Sequence, residues 1–246
     1  MQHVTFSKTD YAILRHGNIW SMVIFCLLGL LGFAILAGFW PPPPEYLSAP
    51  EIGAYFREHS VGIRLGMLLV ITAVPFYLVW GVLLSKIMER LGDGGHLLGR
   101  IELAGAATAS IILALPCVIW LVAAFRPEIR SDAEIQLLYD LAWLMFDLPL
   151  LFFGAQYISA GIAILLDKRT KPLFPAWLAW LGFFDTFTFF AVLLAPFVYD
   201  GPFAWHGLIS FWVVFVTFFV YLLAFMLLIP GALKRLAAED QQAGTT

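Results

Sequence analysis

Charge is what this chain has least of. Only 13% of its 246 residues are Asp, Glu, Lys or Arg, while 61% are hydrophobic. A soluble domain of this length has no interior large enough for so much apolar surface. Basic clusters are missing too, and the formal net charge is −3, so nucleic-acid binding has no electrostatic footing. The two cysteines, Cys26 and Cys117, both fall inside apolar runs and supply neither a disulfide framework nor a paired-thiol metal site. The five histidines, His3, His16, His59, His96 and His206, never pair at i, i+3 or i, i+4. That excludes the histidine boxes of membrane di-iron enzymes, and a haem held between His59 and His206 has no motif behind it. The glycine-rich stretch ERLGDGGHLLGR, residues 89–100, lacks the Gly-Lys-Ser/Thr ending of a phosphate loop and follows no strand. Neither a metal nor a cofactor is expected.

Long apolar runs are what the chain has instead. Six of them are long enough to cross a bilayer at about 1.5 Å per residue: 19–40, 62–85, 101–125, 135–166, 176–199 and 208–233. The expected fold is an all-α polytopic bundle of six transmembrane helices. Residues 1–18 lead into it, 19–233 form it, and 234–246 read as a polar disordered tail. The first run is too long for a signal peptide and ends without a small-x-small cleavage site.

Lys and Arg set the orientation. Lys8, Arg15, Lys86, Arg90, Arg100, Lys168, Arg169, Lys171, Lys234 and Arg235 fall on one side. Arg57, Arg64, Arg126 and Arg130 fall on the other. The positive-inside rule then makes both termini cytoplasmic. Trp177, Trp180 and Trp205 fit aromatic belts at the two surfaces.

The first outer loop has structure of its own. Pro41 to Pro44 stop the first span. Ser48 and Glu51 then make a capping-box pattern, followed by Ile52, Tyr55, Phe56 and His59 at helical spacing. This predicts a short amphipathic helix on the outer surface, either a lid or a plain connector.

The stretch 131–166 organises the rest. It opens on a second capping box, Ser131 and Glu134, and carries Asp140, Asp147, Gln156 and Tyr157 through apolar sequence. From 132 to 166 a straight helix would run roughly 52 Å against a hydrocarbon core of about 30 Å, so it must tilt, emerge or bend. Pro149 marks the bend. The small residues from Ala104 to Ser110 predict close packing of span three inside the bundle.

Buried polar residues carry the functional reading. Asp185 lies near mid-membrane on span five, and Thr217 lies at similar depth on span six. No Lys or Arg shares that depth, so the acid must be protonated, hydrated or bonded to Gln156, Tyr157 or a threonine. It is either a proton-transfer or ligand group, or an interhelical bond that fixes packing. Asp140 and Asp147 share one helix face and point to an outer cluster with Arg64 and Arg126. Such a partly buried ion pair is more often architecture than catalysis. Catalytic candidates are Asp185 and Asp147. Candidate ligand contacts are Gln156, Tyr157, Asp140, Arg64, Arg126 and Thr217.

Three functions fit these residues. The leading one is a polar intramembrane cavity that binds a hydrophobic small molecule of lipid or terpenoid type; if it is also an enzyme, cofactor-free acid–base chemistry fits best. The others are a proton-coupled transporter and an accessory subunit of a larger membrane complex. Expected partners are membrane lipids, a hydrophobic ligand, and a membrane protein or second copy of the chain. FREHSVGIRLG at 56–66, AAFRPE at 123–128 and GPFAWHG at 201–207 resemble segments of uncharacterised six-span bacterial membrane proteins. That resemblance implies a bacterial inner-membrane address and assigns no functional residue.

Overall fold

Helix caps and prolines divide the chain as the sequence suggests. The computed structural model describes residues 5–243. Helix α1 spans Lys8–Leu30 and runs on through a π-helical segment, Leu31–Leu36. It starts at a reciprocal capping box between Ser7 and Asp10, ahead of the first apolar run. Helix α2 is Ala49–Glu58, α3 Ser60–Met88 and α4 Gly95–Ala124. Helix α5, Asp132–Asp147, leads through a 3₁₀ turn, Leu148–Leu150, into α6, Leu151–Leu165. Helix α7 is Ala176–Val192, and α8, Val214–Ala243, follows a π-helical entry at Leu208–Val213.

Among the described residues the elements are all helical, and six helical segments are long and apolar enough to span a membrane. This is a multi-pass membrane protein, with α2 the short helix between the first two spans. An even number of spans puts the first and last helix ends at one end of the bundle, called here the base. The opposite end, with α2, is the cap. Both capping boxes expected from sequence are formed, Ser48 with Glu51 and Ser131 with Glu134. The bend at Pro149 is the 3₁₀ turn, because proline has no N–H to continue the helical ladder.

Two expectations at the base are corrected. The first helix begins at residue 8 rather than 19, because the capping box nucleates it inside the polar lead. Residues 234–243, expected to be a disordered tail, continue α8. The polar composition there is spent on bonds. Arg90 grips Asp240 with two parallel contacts, Nη2 to Oδ1 at 2.8 Å and Nη1 to Oδ2 at 3.2 Å. Asp240 also accepts from the Tyr11 hydroxyl at 2.7 Å and the Phe6 N–H at 3.2 Å. Arg169 donates to Asp167 at 2.8 Å, Glu239 at 2.9 Å and the Arg90 carbonyl at 2.7 Å. Burial works against its charge, but the bonds to Glu239 and Asp167 more than offset this and hold the guanidinium protonated beyond its ordinary range. Arg235 donates to the Leu173 carbonyl. One network thus ties both chain ends to two loops.

At the cap, α2 is more deeply seated than a surface helix. Ile52, Gly53 and Phe56 are buried, and it packs chiefly against α5. Arg57 donates to Asp132 at 2.5 Å and to the Pro127 and Arg130 carbonyls at 3.3 Å each. A Cβ on Gly53 would collide with Asp132 Oδ1, so glycine permits this approach. The strap 41–48 crosses the cap. Its Pro43 carbonyl accepts from the Tyr139 hydroxyl at 2.6 Å and the Trp205 indole N–H at 3.1 Å. Trp205, expected in an outer aromatic belt, is instead buried, with its ring stacked 6.0 Å from that of Trp143. Trp177 and Trp180 are exposed, as belt residues would be.

Candidate functional site

Gln156 is the bridge of the central site. On α6 it accepts from the Tyr77 hydroxyl of α3 at 2.6 Å and donates to Glu102 Oε1 of α4 at 2.8 Å. Close packing makes that reach possible. Gly105, one turn beyond Glu102, lies so near α6 that a Cβ would meet the Gln156 backbone nitrogen at 2.7 Å. Among the small residues of α4, Gly105, Ala106, Ala109 and Ser110 are buried. The expected interior packing of that stretch is present.

Asp185 stands halfway along α7 and is fully buried. Its Oδ1 accepts from the Thr217 hydroxyl of α8, so a threonine is the partner, as one expectation had it. Its Oδ2 has no protein partner. The same holds for Glu102 Oε2 and the Tyr221 hydroxyl, while the Tyr157 hydroxyl is directed at that of Tyr77. Glu102, Asp185, Tyr157 and Tyr221 are all buried. They belong to one neighbourhood: both carboxyls lie within electrostatic reach of Tyr77 and Tyr221, and Asp185 within reach of Tyr157. The Tyr157 and Tyr221 rings are 4.4 Å apart. Buried polar groups are normally satisfied, so three such atoms from α4, α7 and α8 in one neighbourhood call for a partner. Among the described residues no ion pair reaches Glu102 or Asp185, and no group of three or more His, Cys, Asp or Glu side chains is placed to hold a metal.

The expected cap-side cluster does not form. Asp147 is buried with Oδ2 unpartnered, and Asp140 is half-buried. Arg64 instead turns to the Ser60 carbonyl at 3.1 Å, and the Arg126 guanidinium lies 4.9 Å from the centre of the Phe125 ring. Local backbone partners and a neighbouring ring took both cations. The charged neighbour of Asp140 and Asp147 is Glu45 of the strap. Glu45 accepts from the Trp205 N–H and from His206, whose other nitrogen is 3.6 Å from Asp200. Burial pushes the Glu45 carboxyl above its usual range, against the opposing effect of His206 and Trp205. His59 stacks on Tyr55 at 4.4 Å and its ring nitrogen meets the Tyr55 carbonyl.

Between α4 and α6 a shallow groove of about 380 Å³ opens, lined by Arg100, Ile101, Ala104, Gly105, Thr108, Phe152 and Ala155. A small apolar crevice of about 40 Å³ lies between α4, α5, α6, α7 and α8, lined by Leu113, Phe146, Phe153, Phe189 and Phe218 among others. Phe153, Phe189 and Phe218 each sit within about one helical turn of Tyr157, Asp185 and Thr217 respectively. The crevice therefore adjoins the polar cluster on its cap side.

Of the residues in this neighbourhood, Asp185, Gln156, Tyr157 and Thr217 are the ones the sequence offers as candidates. It does not single out Glu102, Tyr77 or Tyr221. Glu102 had a signal, an acid within the apolar periodicity of span three, but its closeness to Arg100 disguised it as a residue of the helix entrance. The fold and site define a polytopic α-helical membrane protein with a buried acidic centre. Protein-family models, curated proteins and solved structures contain no match to this chain.

Proposed function

We propose that this is a bacterial inner-membrane protein, with its base in the cytoplasm, whose acidic centre binds the polar group of a hydrophobic small molecule of lipid or terpenoid type. The observation that carries this reading is that Glu102 Oε2, Asp185 Oδ2 and Tyr221 OH, in one buried neighbourhood, have no protein partners. Each such atom costs about 1–3 kcal/mol if left unmet. A ligand's polar group recovers that loss, while the phenyl-lined crevice gives its apolar body a direction. As it stands the crevice holds little more than a methyl-sized group, so ligand entry requires Phe153, Phe189 or Phe218 to swing aside. With Glu102 and Asp185 facing the same ligand, one carboxyl can give a proton while the other takes one, which is the requirement of a cofactor-free isomerisation or elimination.

Native mass spectrometry of protein extracted gently from its own membrane tests this. The expected result is one defined small molecule per chain in the wild type, lost in Asp185→Asn. A bare wild-type protein would remove the reading, and a second polypeptide at fixed ratio would replace it with an accessory subunit.

A proton-coupled transporter is the second reading. It is favoured by the lack of any ion pair to Glu102 or Asp185 among the described residues, since a carrier acid must be free to take up and release its proton. It predicts pH-gradient-driven uptake into proteoliposomes that Asp185→Asn abolishes.

A further inference from the structure

The acidic centre has a chemical bias that narrows the ligand. Its two carboxyls are accompanied by phenols and an amide, and by no Lys, Arg or His in ion-pair range among the described residues. The wall around them is aromatic. Tyr77 lies 5.7 Å from Trp80, Trp80 5.9 Å from Phe225, Phe225 4.9 Å from Tyr221, and Tyr221 4.4 Å from Tyr157, ring centre to ring centre. The Tyr157 hydroxyl in turn donates to that of Tyr77. Five rings from α3, α6 and α8 thus form a continuous aromatic chain in the neighbourhood of two acids that each keep one oxygen unused.

We infer that the polar group this centre receives is a cation, and that the ligand is a lipophilic organic amine in its ammonium form. This rests on the reading that the centre is a ligand site and names the class of ligand. Aromatic faces carry negative charge density and attract ammonium groups, most strongly where water is excluded. A neutral alcohol would gain the hydrogen bonds but not this attraction. An anion such as a fatty acid would meet two acids with no cation to balance it, so the site discriminates against it. The ammonium N–H groups are donors, which suits Glu102 Oε2 and Asp185 Oδ2 directly. Charge balance then fixes the exchange: each ammonium that enters takes the place of a proton on one of the two carboxyls, and that proton leaves. Asp185, Glu102, Tyr77, Tyr157 and Tyr221 are the titratable groups that face one another there.

The test compares 2-phenylethylamine with 2-phenylethanol, which differ only in the charged group. Binding to the full chain in lipid nanodiscs is followed by tryptophan fluorescence, since Trp80 belongs to the wall. The amine is expected to bind at least about tenfold more tightly than the alcohol at neutral pH, and to weaken as the pH falls because protons compete for the same oxygens. This wild-type comparison needs no variant to fold. Glu102→Gln and Asp185→Asn should each reduce the preference for the amine to about twofold or less. Equal binding of both probes, lost in Asp185→Asn, would overturn the cation assignment while leaving a ligand site in place. Binding of neither probe, or amine binding that is indifferent to pH and to both variants, would also overturn the cation assignment. Ligand retention by the native extract then judges the ligand site separately.

Discussion

Carboxylates at the base and in the centre of this molecule sit in opposite settings. At the base, Asp167, Glu239 and Asp240 are each held by an arginine, and Asp240 also takes the Tyr11 hydroxyl and the Phe6 N–H. In the centre, Glu102 and Asp185 are more deeply buried, yet each has one oxygen bonded to a neutral partner and one left over. If the purpose of buried acids here were to hold helices together, the deeper ones should be the better satisfied. The reverse is found. The base uses charge as a clasp, and the centre leaves its bonding capacity open.

Breaking the clasp should give the largest effect. Arg90 is nearly buried and its side chain has paired contacts with Asp240. Arg90→Ala is expected to cost about 3 kcal/mol, seen as a lowered unfolding midpoint in detergent, because Asp240 is left without its cation. Asp240→Asn should cost less, and the double change should cost less than the sum. Strict additivity would mean that the clasp contributes nothing as a pair.

Next in size is the packing that delivers Gln156 to Glu102. Gly105→Ala places a methyl group 2.7 Å from the Gln156 nitrogen and 3.0 Å from its Cα, so α4 and α6 must part. The expected loss is about 1–3 kcal/mol, together with loss of whatever activity the centre carries. Unchanged stability and ligand retention would show that the close approach is not needed.

A smaller effect separates the cap from both. Glu45 has its proton affinity raised by burial, so its folded value lies above the unfolded one. A raised carboxyl contributes its stability fully below the unfolded value near 4.5, and that contribution is lost as pH rises through the folded value. Hydrogen-exchange protection of the Trp205 amide should therefore decline as the pH is raised across that window, with Glu45→Gln flat. Protection that climbs with pH would reverse the sign and imply that the ionised Glu45 with His206 secures the strap.

The comparison also explains how far the sequence could be read. Spans, caps and the Pro149 bend follow from periodicity, capping pairs and proline chemistry, all local properties. Asp185 was visible because an acid in an apolar run stands out wherever it pairs. Its companions were not. Tyr77 and Tyr221 are ordinary aromatics in their own helices, and only the convergence of α3, α4 and α8 on Gln156 and Asp185 gives them a role. The tail 234–243 misled for the same reason. Its polar residues look solvated until Arg90 and Arg169, far away in sequence, arrive beside them. The grouping of Arg64 and Arg126 with Asp147 failed because equal depth on a helix does not fix facing, and each arginine found a nearer partner.

The central claim is that the buried acids are a site and not a clasp. It is tested most directly by thermal unfolding of wild type, Glu102→Gln, Asp185→Asn and Arg90→Ala in the same nanodisc preparation at neutral pH. Removing an acid that lacks a counter-ion should leave stability within about 1 kcal/mol of wild type or raise it, while Arg90→Ala falls by about 3 kcal/mol. If Glu102→Gln and Asp185→Asn fall as far as Arg90→Ala, the central acids hold the bundle together and the distinction between centre and base is lost.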